Sequence, residues 1–327
     1  MLNDGFKVEL YNNTLTDGGI HDITELIKSL TWSSSLSQVV GSLSLDSLDV
    51  TDEENLFIKM PPGSQIILSK FDEEIRRGVV LKTSRSSKES IAIDVVDNMF
   101  YLTKNMTTRI CDNEPGVEVL KSLLEDFEIP YLNLPSLSVV IKEIFRDLTL
   151  WGIISKVLSE EERVTGDNWI ARWSGQGVEF IKLGMDRPQW VLDSETTRLS
   201  GSSSQSMEKM FNRFVVRGKN DSVLKNEADS SSVMKYGQMT YQVTDEEADP
   251  TKASKMIETL KKQLNKLDES FSIECVGNPL VQSGDRIQVN DKILKTEGSF
   301  EVVSVSHSVA SGFHKMNLQL RRCSYAG

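Results

Sequence analysis

An alternation of polar and apolar residues fills the first hundred positions and returns in the last sixty, and it constrains this chain more than any other feature. FKVELY, SLTWSS, GSLSLDSL, SQIILS and SIAIDVVD each put every second side chain on one face, the period of a half-buried strand. Turn clusters such as NNTLTDGG and MPPGS separate them. Short strands at this spacing predict a small β-barrel or sandwich. The return has the same grammar. PGSQIIL leads to Gly78 in RRGVVLKTS, and SGDRIQV leads to Gly298 in EGSFEVVSVS, before SIAIDVV and KMNLQL close the two runs. This reads as a degenerate internal repeat of one barrel motif.

Between the repeats the period changes. PGVEVLKSLLEDF carries Val117, Leu120, Leu123, Leu124 and Phe127 at helical spacing, and Ile129-Pro130 ends that helix. A second helix starts at Asp147 or Thr149 and runs through LWGIISKVLSEEE. NWIARWS and VEFIKLG flank Gly175-Gln176-Gly177 as a hairpin. SGSSSQSM and KNDSVLKNEADSSSVMKYG have the composition of loops. Asp249-Pro250-Thr251 opens a last amphipathic helix over 251–269. The expected fold is mainly β with α: two related small β-barrels plus a mixed α/β middle domain. Its expected parts are a first barrel at 1–100, a mixed α/β insertion at 101–200, and a second barrel at 201–327 that includes the helix.

Composition narrows the function. Length alone suits about two to three domains. The formal charge of −11 argues against non-specific nucleic-acid or anionic-membrane binding, which needs a positive field, and no specific nucleic-acid binding is expected. No run approaches the ~18 apolar residues of a membrane span, and no secretory signal is visible at the start. Cys111, Cys275 and Cys323 are odd in number and far apart, which suits reduced thiols in a protein made in a cytoplasm.

Chemistry-bearing motifs are sparse. A two-residue turn at Ser311-Gly312 would pair Ala310 with Phe313, and put Val303, Val305, His307, Val309, His314, Met316, Leu318 and Leu320 on one face. His307 and His314 then become diagonal neighbours about 5–8 Å apart. A zinc ion needs a third or fourth ligand, and neither Cys323 nor His21 falls nearby by parity, so these histidines read as core residues bonded to backbone. Cys111 precedes a helix whose dipole could lower its pKa, but no histidine partner is suggested. The acidic runs at 51–55, 159–162 and 244–249 read as solvated caps and loops. Trp151, Trp169, Trp173 and Trp190 suit core packing or a subunit contact better than sugar binding. No catalytic, cofactor-binding or metal residue is assigned, no cofactor is expected, and the chain reads as a non-enzyme.

FDEEIRRGVVLKTSRSSKESIAIDVVDNMFYLTKN at 71–105, LWGIISKVL at 150–158, NRFVVRGKN at 212–220 and the final GDRIQV, GSFEVVSVSH and HKMNLQL occur in this order. Together they resemble the baseplate hub proteins of contractile phage tails and phage-tail-like bacteriocins, the late-control and tail-hub family. The first fifty residues and the 221–236 stretch match least. The resemblance implies a homotrimeric ring whose two similar barrels per subunit give pseudo-six-fold symmetry, adapting a hexameric tail tube to a trimeric spike. Its implied partners are the spike, the tail tube protein, other baseplate proteins and, as a further candidate, the tape-measure protein. Its implied place is the virion tail baseplate. Some hubs carry a fused peptidoglycan hydrolase, for which both barrels and the middle block leave no room. A peptidoglycan-acting enzyme or sugar-binding tail protein is the alternative, and a tube or distal tail component is a third reading.

Overall fold

A computed structural model describes residues 2, 5–11, 19–48, 60–86, 90–184, 190–193, 197–292 and 296–323. The acidic run at 51–55 and most of NNTLTDGG lie outside the described residues. The first part contains β1 (Phe6–Tyr11), β2 (Ile20–Asp22), β3 (Ile27–Ser35), β4 (Ser42–Leu48), β5 (Gln65–Lys70), β6 (Glu73–Ser86) and β7 (Ser90–Asp97). Then come α1 (Met99–Lys104), β8 (Met106–Pro115), α2 (Gly116–Asp126), β9 (Val140–Thr149), α3 (Leu150–Thr165), β10 (Trp169–Ser174) and β11 (Gly177–Lys182). β12 (Trp190–Asp193) and β13 (Arg198–Ser206) precede β14 (Arg213–Arg217), β15 (Val223–Ala228), α4 (Ser230–Tyr236), β16 (Thr240–Thr244) and α5 (Pro250–Leu264). β17 (Asp268–Val276), β18 (Arg286–Asp291), β19 (Thr296–Ala310) and β20 (Phe313–Arg322) complete the chain. The fold is mainly β with α. Two compact units are present, Met1–Ser202 with Phe271–Gly327, and Ser203–Ser270.

The repeat is written in hydrogen bonds. The strand order β3-β4-β7-β6-β5 recurs as β13-β17-β20-β19, with β18 beside β19. In the first copy Gly63 N donates to Val80 O and Val80 N to Ser64 O; in the second, Gly284 N donates to Val302 O and Val302 N to Asp285 O. Both glycines sit at positive φ, +93° and +86°, where a side chain would be strained. A bulge follows immediately in both long strands, between Val80 and Lys82 and between Val302 and Ser304. Val80 therefore corresponds to Val302. Gly78 and Gly298, matched by sequence, differ by two positions: Gly78 faces Ile66, whereas the residue facing the corresponding Ile287 is Phe300. The sequence match of the glycines was an accident of spacing; the strand order and bulge carry the repeat.

Each copy has its own core. Val8, Leu30, Trp32, Leu45, Ile66, Leu68, Ile93 and Val95 meet in the first, and Ile273, Ile287, Val289, Phe300, Val305 and Leu318 in the second. Each such aliphatic or aromatic side chain stabilises the fold by about 1.5–3 kcal/mol when fully buried. The copies are nevertheless one sheet, because β19 pairs β3 antiparallel from Ser304↔Ser35 to Ala310↔Ser29.

The middle block packs α2 and α3 with the ribbon β8–β9 and the hairpin β10–β11 around Leu120, Leu124, Ile141, Phe145, Ile153, Ile154, Val157 and Phe180. α2 starts at Gly116, after Pro115, and α3 is capped by Thr149, whose hydroxyl accepts from Gly152 N. Both match the apolar stripes. Gly166, at φ 81°, ends α3 in the left-handed conformation.

In the second unit, β15-β14-β16 form a small sheet, and Phe214, Val216, Ala253 and Ile257 are its core with α5. Asp249 caps α5 by accepting from Lys252 N. α5 ends at Leu264, and the chain turns into β17 at Asp268. Two segments with loop composition are ordered elements instead. SGSSSQSM supplies most of β13, and KNDSVLKNEADSSSVMKYG forms β15 and α4. Serines hide both, since their hydroxyls suit strand surface and cap alike: Asp229 accepts from Ser232 N at the head of α4, and Ser204 and Ser270 hydroxyls meet at 2.7 Å.

Candidate functional site

The two histidines stand at the joint between the repeats. The hairpin turns at Ser311-Gly312 with Ala310↔Phe313, Val309↔His314, His307↔Met316 and Val305↔Leu318 in register, as the side-chain pattern requires. The bulge changes only its far end, where Leu320 faces Val302, the buried residue, in place of Val303. His307 also faces Trp32 across β3, and the rings stack at 4.4 Å and 6°. His314 packs edge-on to Phe6 at 5.2 Å.

A directional chain of bonds fixes the tautomer. Val281 O can only accept, so His307 Nε2–H donates to it at 3.0 Å, and Nδ1 is left to accept from His314 Nε2–H at 3.2 Å. A proton on His307 Nδ1 would require His314 to move its own proton from Nε2 to Nδ1. Burial first, and the neighbouring His314 second, push the His307 pKa down to about 3. Gly277 closes the site: its N–H donates to His314 O, and a Cβ there would lie 2.3 Å from the His314 ring. The arrangement holds His307 as a neutral packing and hydrogen-bonding group. Among the described residues no group of three or more His, Cys, Asp or Glu is placed to hold a metal ion. His21 lies in β2, opposite Leu10.

Other candidates scatter. Cys111 and Cys275 are buried and unlinked; burial raises the Cys111 thiol, against the lowering a helix dipole would give, and pushes Cys275 up to about 12. The tryptophans separate: Trp173 is in the middle core with Trp151 and Trp169 against it, whereas Trp190 packs on the second-repeat core. The run at 159–162 is not wholly solvated. Glu161, 2% exposed, accepts from Ser138 N, Val139 N and the Ser138 hydroxyl, tying α3 to the segment just before β9. Its position in the apolar stripe beside Leu158 was the available signal. Trp32 went unnoticed for the opposite reason, since SLTWSS reads as ordinary alternation.

Two kinds of surface remain. On the β8–β9 ribbon, Met106, Ile110, Val140 and Ile144 are exposed, Ile110 by 70%, and Ile110 faces Ile144. Lys82, Ser84, Arg85 and Ser86 of β6, and Ser202, Ser203, Ser204 and Gln205 of β13, are exposed along strands. β5 accompanies β6 only as far as Val79, and β13 ends the strand order. No described helix is long and apolar enough to cross a membrane.

This doubled β module with a mixed insertion is a fold found in phage tail proteins. A tail protein from Neisseria meningitidis MC58 is similar over 97% of both chains, with a TM-score of 0.70 and 14% identity. The 43 kDa tail protein of prophage MuSo2 from Shewanella oneidensis has a TM-score of 0.71 and 13% identity, covering 97% of this chain and 98% of that one. The c3393 protein of E. coli, a type VI secretion component with structural similarity to T4 phage tail proteins, has a TM-score of 0.56 and 11% identity over 92% and 74% of the chains. The chain belongs to the YQBQ-like family, whose sequence pattern matches residues 30–321. No curated protein matches it.

Proposed function

We propose that this protein is a structural, non-enzymatic baseplate hub subunit, a homotrimer whose pseudo-six-fold ring joins a hexameric tail tube to a trimeric spike in a contractile phage tail or phage-tail-like bacteriocin. Its parts are the three expected from sequence, 1–100 and 201–327 as barrel-forming hub domains and 101–200 as the insertion, with Ser203–Ser270 a compact unit of its own inside the last barrel-forming part. The protein is made in the bacterial cytoplasm and ends in the tail baseplate, where other baseplate proteins and the tape-measure protein are its further partners.

One observation carries the reading: each chain already contains one joint of such a ring. β19 of the second repeat pairs β3 of the first. Their counterparts are β6 and β13, which have no such partner strand among the described residues. The shared bulge makes Lys82 correspond to Ser304 and Ser84 to Ser306. Carrying the pairs through β3–β4–β7–β6, and the side-chain contacts Ser204–Ser270, Ser272–Asn317 and Glu274–Lys315 through β13–β17–β20, aligns Ser206 with Ser33. Since Ser306 faces Ser33, Ser84 of one subunit would face Ser206 of the next. A head-to-tail contact of this kind closes a ring. Three chains with two repeats each present six similar surfaces to a hexameric tube, and exposed strand edges are covered in doing so.

The test combines light scattering with cysteine pairing. Directly opposed strand residues have Cα atoms about 4.5–5.5 Å apart, within reach of a disulfide. Ser84→Cys with Ser206→Cys should give covalent trimers on oxidation, and neither single variant should. A protein that stays monomeric alone and with its spike refutes the hub. A trimer without the cross-link refutes this pairing and leaves the hub standing.

A further inference from the structure

A second feature of the larger unit is unrelated to strand edges. A cavity of ≈ 260 Å³ lies between β6, α3, β10 and the segment before β18, walled by Arg76, Trp151, Trp169, Arg172 and Ser283 among others. Arg76 is only 8% exposed, and its Nε and Nη2 have no hydrogen-bond partner; Trp169 Nε1 has none either. No buried oxygen of the lining side chains is similarly unmatched. The wall therefore offers surplus donors: Asp97 and Asp285 act on the Arg76 charge through space, but no group bonds its Nε or Nη2, and unmet buried donors are costly.

The pair of atoms matters. Nε and Nη2 form one edge of the guanidinium, the edge that holds a carboxylate with two parallel bonds. This chain uses it twice: Arg77 holds Glu74 at 3.0 and 2.8 Å, and Arg163 holds Glu160 by the same two atoms. Arg76 presents that edge without a carboxylate. Asp97 lines the same cavity and acts on the Arg76 charge, but its two oxygens accept from Gly41 N and Met99 N and bond neither Nε nor Nη2. Arg172 is already engaged by Glu179, Asp285 and Ser283 O. Arg76 thus has no internal partner of the right geometry.

We propose that this cavity binds a carboxylate carried on a small apolar or aromatic body, with the carboxylate on the Nε/Nη2 edge of Arg76 and the body against Trp151 and Trp169. A carboxylate alone, with two oxygens, would leave most of the volume unfilled, and the indole walls suit an apolar remainder. Two sources share this chemistry, a free aromatic acid and the C-terminal residue of a peptide.

The experiment titrates the full chain with 3-phenylpropionate, its neutral amide, inorganic phosphate, and tetrapeptides ending in free or amidated Phe, following indole N–H resonances by NMR. The Trp169 signal is assigned by Trp169→Phe. Phenylpropionate should shift it saturably, and the amide should bind about tenfold or more weakly, as should Arg76→Lys, which keeps the charge and loses the fork. Trp169→Phe keeps an aromatic ring and loses the N–H donor; read on the Trp151 indole N–H, it should weaken binding severalfold even where Arg76→Lys fails to fold. Tighter binding of the free-ended peptide than of phenylpropionate supports a peptide end; the reverse supports a free acid. Equal binding of acid and amide, phosphate as tight as phenylpropionate, or no saturable shift overturns the proposal.

Discussion

Acid should reveal His307 through a variant that no longer titrates. His307→Phe keeps the stack on Trp32 and loses the ring nitrogens. In the native protein His307 has its pKa pushed from 6.5 to about 3, so between those values the unfolded chain takes up a proton that the folded chain refuses. Stability from this group is complete above pH 6.5 and falls as pH drops, by about 1.4 kcal/mol per pH unit. Asp97 acts in the opposite sense. Burial raises it from 3.8 to about 6 despite Arg76 and two amides, so between those values the folded chain binds the proton first and stability rises on acidification. Between pH 6 and pH 4 the two slopes nearly cancel in the natural protein. Asp97 is common to both proteins, so its slope drops out of the difference between them. The variant should therefore gain about 3 kcal/mol relative to the natural protein over that interval. The slope belongs to the His307–His314 pair, which shares a hydrogen bond. Urea unfolding followed by tryptophan emission at pH 4, 5, 6 and 7 measures it. Parallel stability profiles for the two proteins would refute the argument.

Three further outcomes are expected. Gly277→Ala should cost about 1–3 kcal/mol by pressing a methyl into the His314 ring, and the cost should largely vanish in a His314→Ala background, measured as a double-mutant cycle by urea unfolding. Glu161→Ala should cost about 3 kcal/mol, because the buried amides of Ser138 and Val139 lose their acceptor; a change below the error of thermal unfolding would contradict that role. In thiol titration of the native protein at neutral pH, Cys323 should react well before Cys111 and Cys275, and all three should react together in denaturant.

The local chemistry of the sequence determined a good deal. Period-2 alternation placed the strands, the apolar stripes placed α2 and α3, and parity around Ser311-Gly312 set the hairpin register, down to the pairing of Val309 with His314. These succeed because a strand or helix face is encoded within a few consecutive residues. Serine-rich β13 and α4 escaped, since serine suits loop, cap and strand surface equally. The bulges after Val80 and Val302 escaped too, and with them the true alignment of the repeat, because a bulge depends on the partner strand. Everything at the joint was left to the tertiary structure. That β19 meets β3, that His307 stacks on Trp32, that Glu161 caps a loop and that Arg76 lacks a carboxylate each join residues 22 to 281 positions apart or depend on such contacts. No local pattern names a partner at that distance; only the packing of the whole chain selects which edge meets which.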